Sequence, residues 1–92
     1  MRTGGGTRVS EIKNKRGLHA RAAAKFAKLA GEFDAEVQVS RGGQTVVGTS
    51  IMGLMMLAAA IGTEIEMTAT GNQSKEVLDA LETLVADKFG ED

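Results

Sequence analysis

Gly17-Leu18-His19-Ala20-Arg21-Ala22-Ala23-Ala24-Lys25-Phe26-Ala27-Lys28-Leu29-Ala30-Gly31 is the stretch from which the rest of the chain can be read. Ala22, Ala23, Phe26, Ala27 and Ala30, and then Phe33, recur at helical spacing, while Arg21, Lys25, Lys28 and Glu32 trace the opposite side. The spacing predicts an amphipathic helix over 20–31, with Gly31 as its C′ residue. Alanines on the buried side allow close approach to a sheet. His19 is the only histidine, and it falls where the non-periodic basic run Lys13 to Arg16 gives way to this pattern. It therefore stands at or next to a helix N-terminus, where unpaired N–H groups and the positive end of the helix dipole favour an anion. A nucleophilic imidazole at such a site points to a histidine that carries phosphate.

Outward from that helix the chain alternates between the two periods. Arg8 to Lys13 is a weak strand, because Val9 and Ile12 lie three apart and break strict alternation. Ala35, Val37 and Val39 alternate with polar neighbours. Arg41-Gly42-Gly43-Gln44 is then a hairpin signal, since adjacent glycines permit positive φ at both central positions. Thr45 to Val47 returns as a short strand. A second helix is predicted from Ile51 to about Ala60, capped by Thr49 or Ser50 and ended before Gly62. Ile65, Met67 and Ala69 alternate cleanly in a fourth strand. Val77, Leu78, Leu81, Leu84, Val85 and Phe89 form the apolar stripe of a last helix closed by Gly90. The order βαββαβα predicts an α+β fold, one antiparallel sheet with helices on one face. Met1 to Gly6, with three consecutive glycines, is expected to be a flexible segment ahead of a single domain over 7–92.

Ninety-two residues make one domain, able to bury about 60% or more of its unfolded surface without staples. The chain has no cysteine, which excludes a disulfide framework, a thiolate metal site and a cysteine nucleophile. One imidazole without clustered carboxylates is a poor ligand set, so neither metal nor cofactor is expected. The start lacks a signal-peptide core, and the longest apolar run, Ile51 to Ile61, is too short to cross a bilayer. A cytoplasmic monomer without membrane insertion is the expectation. Lys13, Lys15, Arg16, Arg21, Lys25 and Lys28 lie in a stretch without an acid, while eight of the twelve acids fall from Glu64 onward. That asymmetry favours an anionic substrate or an acidic protein near His19. With an acidic pI and three core-like Phe, nucleic acid is not an expected partner.

Two segments, Gly17-Leu18-His19-Ala20-Arg21 and Thr49-Ser50-Ile51-Met52-Gly53-Leu54-Met55, together resemble the HPr family, the histidine-containing phosphocarriers of the bacterial phosphoenolpyruvate-dependent phosphotransferase system. The resemblance runs from about Val9 to Phe89. It implies an open-faced β-sandwich, with a four-stranded antiparallel sheet covered on one face by three helices. It further implies that His19 accepts a phosphoryl group from enzyme I and passes it to an enzyme IIA. It makes Arg21 the active-site arginine and Ser50 the position that an HPr serine kinase modifies in some members. The family usually carries proline after that arginine; here Ala22 stands in its place, which should loosen the first helical turn slightly.

These residue types suit phosphoryl transfer, which needs an in-line nucleophile and charge neutralisation on the phosphoryl oxygens. Arg21 adds a planar charged fork that lysine would not reproduce. A helix as short as the second, apolar all round, cannot bury every side chain. Leu54 and Leu57 are expected inward, and Ile51, Met52 and Met55 partly outward as a docking patch that Ala20, Lys25 and Lys28 extend. Such a protein is a stoichiometric carrier and not a turnover enzyme on a small substrate. It would serve sugar uptake or, alternatively, the nitrogen-regulatory branch of the same family. Two other classes compete. One is a non-catalytic regulatory module using the same face, which the histidine argues against. The other is a phosphate-releasing hydrolase, which would need a residue to orient water near Arg21, and the helix-start motif has no Asp, Glu, Asn or Gln.

Overall fold

Strand pairing, and not local propensity, decides where the sheet begins. The structure, a computed structural model, describes residues 5–91. Its elements are β1 (Gly5–Glu11), α1 (Ala20–Ala30), β2 (Glu36–Arg41), β3 (Gln44–Val47), α2 (Ile51–Met56), β4 (Glu64–Thr70) and α3 (Ser74–Ala86), followed by a short 3-10 turn at Lys88–Gly90. Gly5 and Gly6 therefore belong to β1, contrary to a flexible segment through residue 6; the expectation for residues 1–4 lies outside the described residues. Glycine is a poor strand former, yet here the two pair with Thr70 and Ala69 of β4. A methyl group on Gly6 would come within 3.3 Å of Leu78 Cδ1, so this glycine lets α3 settle close to the sheet.

The sheet order is β1-β4-β2-β3, antiparallel throughout. β4 is paired on both sides, and Ile65, Met67 and Ala69 on its covered face are fully buried. Val37 and Val39 of β2 join them. Val9 points to the open face and is exposed, which explains the broken alternation: Ile12, fully buried, lies beyond the strand. Its backbone is held by Thr63 and Gly62 at 2.8 Å each. Gly42 and Gly43 take φ of +58° and +85°, and the hairpin closes at Arg41 and Gln44 as the glycine pair predicts.

Three helices cover one face. α1 buries Ala22, Ala23, Phe26, Ala27 and Ala30, the predicted stripe, and α3 buries Val77, Leu78, Leu81 and Val85. Each large side chain removed from water there contributes roughly 1.5–3 kcal/mol, so this core holds the layers together. Arg8 reaches from β1 to Asp79 and Glu82 of α3 at 2.9 Å each, fixing the helix along the strand.

Three helix ends differ from expectation. Gly31 has φ −75°, an ordinary right-handed value, and makes no left-handed cap. α2 stops at Met56, because Ala58 turns to φ +52° and the chain leaves the helix axis. α3 stops at Ala86: Lys88, Phe89 and Gly90 all have positive φ and fold the C-terminal segment back over the bundle. Phe89 remains fully buried, off the helix that its spacing suggested.

Candidate functional site

The loop that presents His19 is fixed from both sides. Gly17 has φ +66°, and a Cβ there would sit 2.4 Å from Ala59 O, so only glycine permits the approach. Leu18, buried, donates its N–H to that same Ala59 oxygen at 2.9 Å. The histidine loop is thus tied to the segment that follows α2.

His19 is the N-cap residue of α1: its backbone is extended, and its carbonyl accepts the first helical bond from Ala23 at 2.8 Å. Its side chain makes no capping bond. The first N–H groups of α1 therefore receive no bond from the N-cap side chain, and the helix dipole adds to their attraction for an anion. Ala22 is buried in the first turn, and α1 forms from Ala20 without the proline. Arg21 is exposed one residue into the helix and makes no hydrogen bond or ion pair among the described residues.

Two groups that the sequence did not single out converge on the imidazole. Glu91, from the far end of the chain, hydrogen-bonds through Oε2 to His19 Nε2. Its Oε1 accepts from Asn14 Nδ2 at 3.0 Å, and the same amide nitrogen donates to Gly17 O at 2.8 Å. Asn14 is fully buried, although it stands within a basic, non-periodic run. Burial raises the Glu91 carboxyl, but the Asn14 and His19 hydrogen bonds, with the positive charges of His19 and Arg16, outweigh it and hold the group below the usual carboxylate range. The helix-start motif itself contains no Asp, Glu, Asn or Gln, but Glu91 and Asn14 stand against it in space. Neither residue carried a local signal, since one is buried by tertiary contacts and the other arrives by a backbone reversal.

α2 presents the remaining expected residues. Ser50 is its N-cap, and Ser50 Oγ accepts from Gly53 N at 3.0 Å. Leu54 and Leu57 are buried, while Ile51, Met52 and Met55 are exposed, at 43%, 74% and 43%, and Met56 joins them at 65%. The inward and outward division follows the reading of the sequence, with one further methionine outside. Ala20 and Lys28 are exposed on α1. Lys25 is exposed too, but its ammonium donates to Phe89 O at 2.7 Å, so it anchors the C-terminal segment. No group of three or more metal-ligating side chains occurs among the described residues, and no helix there is long and apolar enough to cross a membrane.

A histidine at an open helix mouth, flanked by arginine and an exposed apolar helix, defines the class of a phosphoryl-group carrier. The family model described as "PTS HPr component phosphorylation site" matches residues 7–87. The chain is 50% identical to the phosphocarrier protein HPr of Cupriavidus necator over 84 residues, 91% of this chain and 94% of that one. It is also 45% identical to the phosphocarrier protein NPr of Shewanella violacea, covering 87% of this chain and 88% of the relative. A crystal structure of HPr-C-His from Thermoanaerobacter tengcongensis superposes with a TM-score of 0.90 at 39% identity, over 95% of this chain and 98% of that one. This chain belongs to the HPr phosphocarrier family.

Proposed function

We propose that His19 accepts a phosphoryl group from phospho-enzyme I and delivers it to an enzyme IIA domain in the sugar-uptake branch of the phosphotransferase system, in the cytoplasm. The observation that carries this reading is the imidazole at the N-cap of α1 whose side chain leaves the helix N–H groups uncapped. Those groups are available to the equatorial phosphoryl oxygens, and Arg21 can swing onto them, since no partner among the described residues holds it. The exposed Ile51, Met52 and Met55 form the surface on which partner proteins dock, with Ala20 and Lys28 beside it and Lys25 contributing charge from its anchored position. The relatives include proteins named HPr at 48–52% identity and one named NPr at 45%, so the choice of branch belongs to this proposal and not to the names.

Incubation with enzyme I and labelled phosphoenolpyruvate should place acid-labile phosphate on the protein. His19→Ala should remove it entirely; persistence of label in that variant would disprove the assignment. Steady release of inorganic phosphate in place of a stable phosphoprotein would instead favour the hydrolase reading.

A further inference from the structure

We propose that Met52, Met55 and Met56 are a site of reversible oxidation by peroxide, whose sulfoxides weaken the docking of phospho-enzyme I. This control rests on the phosphocarrier reading above and acts on the same surface.

The three methionines make up half of α2 and stand at i, i+3 and i+4, so they are neighbours on one side of the helix. Met52 and Met56 are the most exposed large apolar side chains among the described residues. Burial is left to Leu54 and, just past the helix, Leu57. The sulfurs of α2 thus stand in water while the core is built by others. Met67 carries the same thioether in the opposite environment, fully buried on β4, the strand paired on both sides.

Composition sets this helix apart. α1 carries Arg21, Lys25 and Lys28, and α3 carries Lys75, Glu76, Asp79 and Glu82, whereas α2 has no ionisable side chain. None occurs anywhere between Arg41 and Glu64. This surface has no charge of its own, so a polar group can enter its methionines only by covalent change. A thioether offers what leucine and isoleucine lack, a sulfur lone pair open to oxidants. α2 also packs beside α1, and Leu18 N donates to Ala59 O at 2.9 Å. A change of polarity on α2 therefore falls within the surface that a partner covers to reach His19.

The step balances with peroxide as the only co-reactant. A sulfur lone pair attacks one oxygen of hydrogen peroxide, and the S–O bond forms as the O–O bond breaks. The proton on the transferred oxygen goes to the departing hydroxide, giving water. The thioether is oxidised to a sulfoxide and the peroxide is reduced. An apolar side chain then carries a strong acceptor that docking must strip of water without supplying a donor. Methionine sulfoxide reductases take the oxygen off again, which makes the change reversible.

The test treats the full chain with graded hydrogen peroxide, removes the peroxide with catalase, and only then adds labelled phospho-enzyme I. Peptide mass spectrometry should find one added oxygen on each of Met52, Met55 and Met56 at doses that leave Met67 unmodified. Met1, outside the described residues, is read in a peptide of its own. Initial uptake of phosphate should fall about tenfold in the sulfoxide form, with cooperative thermal unfolding retained. The two epimer-specific sulfoxide reductases together should restore the rate. A variant combining Met52→Leu, Met55→Leu and Met56→Leu is compared only with itself, and its rate should not change on peroxide treatment. The site is overturned if Met67 oxidises together with the helix methionines, or if the sulfoxide form takes up phosphate at the native rate. It is equally overturned if the leucine variant loses rate to the same extent, or if the sulfoxide form is unfolded. An untreated native chain that takes no label on His19 would instead overturn the carrier reading, while the order of oxidation, read by mass alone, would still support or sink α2 as the oxidised site.

Discussion

α1 and α2 begin in opposite ways. At α2 the N-cap Ser50 accepts a bond from Gly53 N at 3.0 Å, satisfying one of the helix's orphan donors internally. At α1 the N-cap His19 supplies no such bond to the donors at that mouth. A missing side-chain cap costs about 1 kcal/mol in an ordinary helix. α1 can tolerate it because the helix buries five residues in the core, beside α2 and α3, whereas α2, with six residues, buries only Leu54 within its span. The uncapped helix start therefore sits on the helix that tertiary packing already secures.

That contrast can be broken by mutation. Gly17→Ala should have the largest effect, because it forces a side chain into φ +66° and against Ala59 O. A loss of about 3 kcal/mol or more in urea denaturation is expected, with His19 displaced from the helix mouth. Ser50→Asp tests what negative charge does at the other mouth. Aspartate still caps α2, so stability should hold while transfer from enzyme I slows about tenfold through charge beside the proposed docking surface, the effect expected of a phosphate on Ser50. Unchanged transfer kinetics would remove the regulatory reading of Ser50. Ser50→Ala should cost about 1 kcal/mol in thermal unfolding, since it removes a cap. No loss would erase the distinction between the two helix starts.

The smallest effect concerns pH. Glu91 is held below the usual carboxylate range, so its contribution is complete above the unfolded value of about 4.3 and is lost as pH falls through the folded one. Acid titration followed by NMR should therefore show Glu91 titrating below the ordinary glutamate range, with the Asn14 side-chain amide and the His19 ring resonances responding at the same pH. Independent titration of the three would argue against the hydrogen bonds that join Asn14, Glu91 and His19.

The same contrast marks what the sequence could reveal. The α1 stripe, the glycine hairpin, the β4 alternation and Ser50 as a cap all express local rules of period or turn geometry, and the structure follows them. The division of α2 into buried Leu54 and Leu57 and exposed Ile51, Met52 and Met55 also followed from length and composition. What escaped local reading depended on partners far along the chain. Gly5 and Gly6 are strand only because β4 pairs with them. Asn14 and Glu91 meet across 77 positions, and the positive φ run that makes this possible includes a lysine and a phenylalanine, which give no turn signal. His19 and its motif were plain; the groups behind its ring were not.

The place of β4 at the centre of the sheet also sets a timetable for the chain as it is made. β1 and β2 both pair with β4, so neither has its principal neighbour until residues 64–70 are synthesised. Before that point only the β2–β3 hairpin can form a ladder, and an isolated hairpin is marginal in water. The nascent chain should accordingly stay open until its last third emerges and then close across long sequence separations, a pattern associated with slower folding than a helical bundle of this size. A ribosome-bound fragment ending before Glu64 should be as protease-sensitive as an unfolded chain, and one extending past Ala86 should resist.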